Sequence, residues 1–266
     1  MADCPRFGYY PLEDEGLPDS RERGILGIVF ALEVEARGLR RVLSHAQRAQ
    51  VPVPGQSAWR VGGAQVIVEI GDMGRQCARQ AANRLVDQGA KWIACAGFAA
   101  ALDEKARAGD VVVADSVCHL GSHESKLPCC PSLLAAVPPS GRLGYSIWRS
   151  DFVTSDSMIL RASMKRDIYA QTRAATLDME SSAVGEVCSK RGVPFIVVKG
   201  ISDTADQDLP DEVEALATAA GWADRVGLLL GRPHLWRDLW RLRKNALKAS
   251  DNLGDVIGMM LLRLFA

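Results

Sequence analysis

Residues 65–96 read QVIVEIGDMGRQCARQAANRLVDQGAKWIACA, and this stretch decides the fold. Gln65 to Ile70 has strand character, Gly71-Asp72-Met73-Gly74 breaks it, and Arg75 to Gln88 carries helical spacing. Trp92 to Ala96 is then a short apolar run of the kind found in buried strands. Strand, glycine loop, helix, strand is a βαβ unit, whose crossover joins parallel strands. Just upstream, Ala58 to Val61 meets Gln65 to Ile70 across Gly62-Gly63, a hairpin turn where glycine accepts positive φ.

The same alternation continues outward. Ile25 to Phe30 reads as a buried strand, and Glu33 to Leu43 turns to helical spacing through Val34, Leu39, Val42 and Leu43. Downstream, Val111 to Ala114, Leu143 to Trp148, Ala174 to Met179 and Phe195 to Lys199 read as strands. Helices are predicted from Ser157 to Tyr169 and from Glu180 to Arg191, and Pro128 to Gly141 as a connector. The fold class that follows is α/β: a single domain with a mixed, mostly parallel twisted β-sheet flanked by helices. In such sheets the loops beyond the strands' carboxyl ends carry the chemistry.

The predicted domain runs over 24–230, with Gly221 to Leu230 as its last helix. Residues 1–23 form a polar leader, rich in acids and without the apolar core of a signal peptide. Residues 231–266 form a C-terminal helical extension. Arg232-Pro233 can open a helix whose apolar stripe is Leu235, Trp236, Leu239, Trp240, Leu242 and Leu247. Val256 to Phe265 is almost wholly apolar but about half the length a bilayer span requires.

Lys plus Arg equals Asp plus Glu at 32 each, so the overall charge points to no nucleic acid or other polyanion. Arg232, Arg237, Arg241, Arg243, Lys244 and Lys248 nevertheless face only Asp238 within their stretch. Seven cysteines, an odd number with two inside apolar runs, argue for a reduced, cytoplasmic protein. Cys118, His119, His123 and Cys129-Cys130 match no familiar zinc spacing, so no metal and no cofactor is expected.

The acids at predicted strand ends are Glu33 and Glu35, Asp178 and Glu180, and Asp203. Taken singly, each is most simply a helix cap or first-turn acid. Converging on one edge of a sheet, they suit cleavage of a glycosidic bond through an oxocarbenium-like state. One carboxyl then protonates the leaving group and another activates water.

Leu177-Asp178-Met179-Glu180-Ser181-Ser182-Ala183-Val184, Gly192-Val193-Pro194-Phe195 and Ile201-Ser202-Asp203-Thr204-Ala205-Asp206 resemble the nucleoside phosphorylase and nucleosidase superfamily. The likeness is closer to its methylthioadenosine/S-adenosylhomocysteine nucleosidase branch, whose opening strand-loop Phe30 to Glu35 resembles. Gly71 to Gly74 and Gly97 to Leu102 fall where that branch has its two glycine loops. The resemblance implies roles. Asp203 would protonate the adenine as it leaves, and Glu35 would deprotonate the attacking water. Glu180 would hold the ribose hydroxyls, Met179 would pack under the sugar, and Asp178 would belong to the same substrate contact. Ser202 would support Asp203, while Met158 and Ile159 would lie against the purine. Homodimers are usual among such enzymes.

Two departures bear on the substrate. Gly97-Phe98-Ala99-Ala100 lacks the serine that usually follows the glycine, and Met158 stands where a stacking aromatic is usual, or simply fills the core. A phosphorylase would need arginines around a phosphate cradle, but Ala94-Cys95-Ala96 supply none. Arg37 and Arg75 are the possible substitutes, and Glu35 would repel phosphate, which favours hydrolysis. The basic tail resembles that of the hopanoid-associated phosphorylases, which implies a lipid-linked adenine nucleoside and a membrane-surface contact through 232–265 at the inner membrane face. A helix packed on the core or on a dimer partner explains the same pattern equally well. A nucleoside-binding module without catalysis is the remaining alternative.

Overall fold

The computed structural model describes residues 24–51, 53, 55–122, 126–141, 144–213 and 233–265, the last segment with side chains from Trp240 onward. The leader at 1–23, the helix expected at Gly221 to Leu230, His123, and the side chains of Leu235, Trp236 and Leu239 lie outside the described residues. β1 (Ile25–Phe30) is hydrogen-bonded in parallel to both β4 (Ala64–Ile70) and β5 (Ala90–Ala101). The βαβ unit is therefore present, with α2 (Arg75–Asp87) as its crossover and β1 between its two strands. The Gly62-Gly63 hairpin sets β3 (Ser57–Val61) antiparallel to β4, and β2 (Gln47–Ala49) forms the sheet's edge.

On the other side of β5 the sheet closes on itself. β10 (Phe195–Asp203) runs parallel to β5 and antiparallel to β6 (Val111–His119), which also pairs with the short β7 (Leu127–Pro128). β6 pairs with β8 (Ile147–Thr154), β8 with β9 (Thr176–Asp178), and β9 returns antiparallel to β5. Five strands thus form a barrel, from which β1, β4, β3 and β2 extend. The sheet is mixed, as expected: the parallel ladders carry the longer registers, and barrel closure adds the antiparallel ladders β10–β6 and β9–β5. Turning from β10 into β6, and from β9 back onto β5, requires the chain to reverse.

Closure also extends strands beyond their apolar runs. β5 and β10 stay paired as far as Ala100 and Asp203, so most of the glycine loop predicted at Gly97 to Leu102 is strand. β8 spans Ile147–Thr154, its second half held between β6 and β9, whereas the expected strand starts at Leu143, which lies outside the described residues, and ends at Trp148. α4 (Ala162–Thr172) begins later than Ser157, at the point where Asp208 Oδ1 accepts the Ala162 N–H at 2.7 Å. The predicted connector holds a short helix, α3 (Pro131–Ala135), opened by its proline. α5 (Ser181–Arg191) follows Glu180, its N-cap.

The C-terminal segments predicted separately are one continuous helix, α6 (Pro233–Phe265). From Ala249 onward it is part of the core: Leu253, Val256, Ile257, Leu261, Leu264 and Phe265 are buried, and Phe265 meets Trp92. It crosses α1 (Glu33–Val42) at backbone contact. A Cβ on Gly254 would lie 2.2 Å from the Gly38 carbonyl carbon, so only glycine lets the helices approach this closely. Ser250 Oγ accepts the Gly38 N–H at 3.0 Å and donates to the Glu35 carbonyl at 3.1 Å. The run from Val256 to Phe265 is therefore apolar because it is core. No described helix is long and apolar enough to cross a membrane.

Candidate active site

A cavity of about 220 Å³ opens beside the strand ends. Glu35, Phe98, Met158, Ile159, Asp178, Met179, Glu180, Ser202 and Asp203 all line it. Gly97, the remaining residue predicted for the site, lies immediately behind Glu35. Three elements, α1, β9 and β10, bring the carboxylates together. α1 begins at the end of β1 and carries Glu35 on its first turn. β9 pairs Thr176 and Leu177 with Ala101 and Ala100 of β5, and so delivers Asp178, Met179 and Glu180 at and just beyond its own end. β10 ends in Ser202 and Asp203, with Asp203 opposite Ala100.

Glu35 is buried, and its carboxylate accepts N–H bonds from Ala31 and Leu32 at 2.9 Å each and from Phe98 at 2.8 Å. The first two cap α1; the third ties that cap to the barrel. Gly97 is required here: at φ 143° it holds a conformation that side chains rarely adopt, and a Cβ would lie 2.8 Å from Glu35 Oε1. Burial raises the Glu35 carboxyl to about 7, against the lowering influence of Lys199, while Glu180 raises it further. A carboxyl that titrates near neutrality can take a proton from water and release it again.

Lys199 organises the neighbouring acids. It is fully buried in the middle of β10, with Nζ 3.0 Å from Asp178 Oδ2 and 3.3 Å from Glu180 Oε2. Burial alone would lower its pKa, but Asp178, Cys95, Glu180 and Glu35 together hold it well above the ordinary lysine value. Asp178 also accepts from Thr154 Oγ1 at 2.8 Å and from both the N–H and hydroxyl of Ser181. Its acceptors are occupied internally, so Asp178 braces Lys199 and the start of α5 rather than presenting a free edge to the cavity. Glu180 takes the Gly74 N–H on Oε1 at 3.0 Å, which fastens the glycine loop over the site. Lys199→Met is expected to lower the thermal unfolding midpoint by roughly 10 °C, because uncompensated buried acids cost ~3–5 kcal/mol. Thermal denaturation followed by circular dichroism measures this, and a shift of less than about 2 °C would contradict the pairing.

Asp203 is held from two sides. Ser202 donates to Oδ1 at 2.7 Å, and Lys165, fully buried on α4, reaches Oδ2 at 2.5 Å. Reading the sequence missed Lys199, Lys165 and Thr154. Lys199 did carry a signal, being the lone charge in the apolar run Phe195 to Ile201, and a buried lysine must be paired. Lys165, in the mixed helix Ala162–Thr172, carried none.

The candidate phosphate ligands are engaged elsewhere. Arg37 pairs with Asp251 at 3.0 Å on the surface, and Arg75 bonds Glu186 at 2.6 Å and Asp156 at 3.3 Å. The cavity wall includes no arginine or lysine among its described residues. His119 Nε2 lies 3.1 Å from Asp156, and Cys129 is buried within the main core.

A model of the Phosphorylase superfamily matches residues 27–230, and the chain belongs to that superfamily. In sequence it is similar to the 5′-methylthioadenosine/S-adenosylhomocysteine nucleosidases of Mycobacterium bovis and Mycobacterium tuberculosis. Each is 24% identical over an alignment of 221 positions, which covers 69% of this chain and 87% of theirs. In structure it resembles the futalosine hydrolase of Helicobacter pylori, with a TM-score of 0.70 at 16% identity over 89% of this chain and 97% of that one. It also resembles a 5′-methylthioadenosine/S-adenosylhomocysteine nucleosidase of Colwellia psychrerythraea in complex with adenine. There the TM-score is 0.71 at 18% identity, over 91% of this chain and 96% of the other.

Proposed function

We propose that this protein is a nucleosidase that hydrolyses the N-glycosidic bond of a 5′-substituted adenosine and releases adenine. The observation that carries the reading is the placing of Glu35, Glu180 and Asp203 around one cavity. Asp203 protonates the purine as the C1′–N9 bond breaks, and Glu35 takes the proton of the attacking water. Glu180 holds the ribose hydroxyls, a contact that strengthens as positive charge develops on the sugar. Met179 packs under the sugar, and Met158 with Ile159 lies against the base. The names of the similar proteins, nucleosidases and a futalosine hydrolase, support the same reaction class. Hydrolysis is favoured over phosphorolysis because the described wall offers a carboxylate, Glu35, and no arginine or lysine to an incoming phosphate.

The apolar part of the cavity wall suggests the 5′ substituent. Leu209, Val213, Leu242 and Ala246 belong to it, the last two from α6. An apolar group attached at the ribose 5′ position suits that wall, and a lipid-linked nucleoside is the extreme case. On the same helix Trp240 is 65% exposed, with Lys244 Nζ 5.7 Å from its ring centroid. Arg241, Arg243 and Lys248 are exposed beside it, an arrangement suited to an anionic membrane surface.

The test is adenine release from adenosines of growing 5′ size, with phosphate present and absent. The expected result is release that needs no phosphate and is fastest with apolar 5′ groups. Strict phosphate dependence would reassign the enzyme as a phosphorylase, and a preference for charged 5′ groups would remove the apolar reading.

A further inference from the structure

Lys165 is the buried cation that touches Asp203, and the mechanism above does not use it. Its Nζ lies 2.5 Å from Asp203 Oδ2, 2.9 Å from the Thr204 carbonyl and 3.1 Å from the Gln207 carbonyl. Three acceptors around one nitrogen call for three hydrogens. An ammonium supplies them, whereas a neutral amine would turn a lone pair toward an oxygen. The resting pair is therefore an ammonium and a carboxylate. A carboxylate has no proton to give, so an acid that protonates a leaving base must first obtain one. Glu35 acquires its proton only when water attacks. The ammonium already touches Asp203.

We propose that Lys165 acts through Asp203, holding the carboxylate in place and storing the proton that Asp203 passes to the departing base. This rests on the adenine-releasing reading above. As the C1′–N9 bond breaks, its electron pair moves into the purine. Lys165 transfers a proton from Nζ to Asp203, which delivers one proton to a ring nitrogen. Asp203 ends as a carboxylate beside a neutral amine. Water bonds to C1′ through oxygen and yields its proton to Glu35. Solvent then returns a proton to Lys165 while Glu35 loses one, so only water is consumed. A bound purine displaces water from the cavity, and a drier site favours a neutral acid and amine over two charges. The proton shift is thereby coupled to substrate binding.

The charges around Nζ are Asp203 on β10 and, at longer range, Asp206. The Asp206 carboxyl is held below its usual range by the Thr204 hydroxyl first, with Lys165 and Arg241 adding to it. At the N-terminus of α4, Asp208 caps Ala162 and Arg161 pairs with Asp211.

The experiment compares full-length Lys165→Arg, Lys165→Met and Asp203→Asn with the wild type, using the best substrate of the assay above. Arginine keeps the cation but releases no proton at any working pH, so Lys165→Arg separates proton storage from charge and position. The expected result for Lys165→Arg is a kcat lower by ~10²-fold with KM within about threefold. For Lys165→Met the alkaline limb of kcat/KM moves to lower pH by about one unit or more, because a lone carboxyl is deprotonated before the pair is. A Lys165→Arg enzyme with kcat within about threefold of wild type overturns the proposal, whether or not Lys165→Met folds. So does an alkaline limb unmoved in a folded Lys165→Met enzyme. Near-normal turnover by Asp203→Asn would instead overturn the underlying acid assignment, which keeps the two failures distinguishable.

Discussion

Asp203→Asn should lower kcat for adenine release by ~10²–10⁴-fold, the usual worth of a positioned general acid. Asparagine matches the shape of aspartate and can still accept one hydrogen bond, from Ser202 or Lys165, through its carbonyl oxygen. Its amide cannot be protonated and deprotonated in turn, so adenine would have to leave as an anion. KM should change little, because the lost interaction belongs to the transition state rather than to the bound substrate. The substitution also removes the counter-charge of Lys165, which is fully buried. A lower unfolding midpoint should therefore accompany the loss of turnover, and circular dichroism at the assay temperature must confirm that the protein stays folded. Turnover within about tenfold of wild type in a folded variant would remove Asp203 from the chemistry.

Glu35→Gln is expected to cost a similar ~10²–10⁴-fold in kcat/KM and, more tellingly, to erase one limb of the pH profile. The base works in its ionised form. With the Glu35 carboxyl raised to about 7 by burial, the wild-type rate should climb with pH until about 7 and then level off on that side. Below that point each pH unit should cost about tenfold. Glutamine has no ionisation, so the residual rate should be flat across the same range. The sign for stability runs the other way. The folded-state value lies above the ordinary glutamate value of 4.5, so the folded protein binds this proton more tightly. Burying the ionised form opposes folding increasingly as pH rises from about 4.5 to about 7, and no further above that. Wild-type stability relative to Glu35→Gln should fall across this window. A rate limb that persists in Glu35→Gln would assign it to another group.

The fold was legible wherever local pattern and tertiary role agree. Gln65 to Ala96 shows its strand, glycine loop, helix and strand because each element's side-chain period matches the surface it covers. The specific acids were legible for a related reason: Asp178, Glu180 and Asp203 stand next to strand ends, and a strand end in such a sheet faces the site. Glu35 satisfies both of the meanings its position allowed. It caps α1 through Ala31 and Leu32, and the bond from Phe98 then holds that cap in the cavity wall. Asp178 turned out differently, since Thr154, Ser181 and Lys199 occupy it from within the protein.

The tail shows where local pattern misleads. A basic, tryptophan-bearing stretch followed by an apolar one reads as an appendage, because composition does not say what a helix packs against. In the folded protein α6 is one helix whose last turns complete the core through Gly38 and Gly254, and whose middle adds Leu242 and Ala246 to the cavity wall.

By itself the sequence determined the alternation of strands and helices, the strand-end acids and the superfamily they resemble, since all of these are written in neighbouring residues. Tertiary structure decided what depends on distant ones. Barrel closure turned the loop at Gly97 to Leu102 into strand. The folding of α4 against the end of β10 placed Lys165 on Asp203, and burial carried the Glu35 carboxyl up to about 7. A charge's meaning depends on its solvent and its partners, and both are set only when the chain has folded.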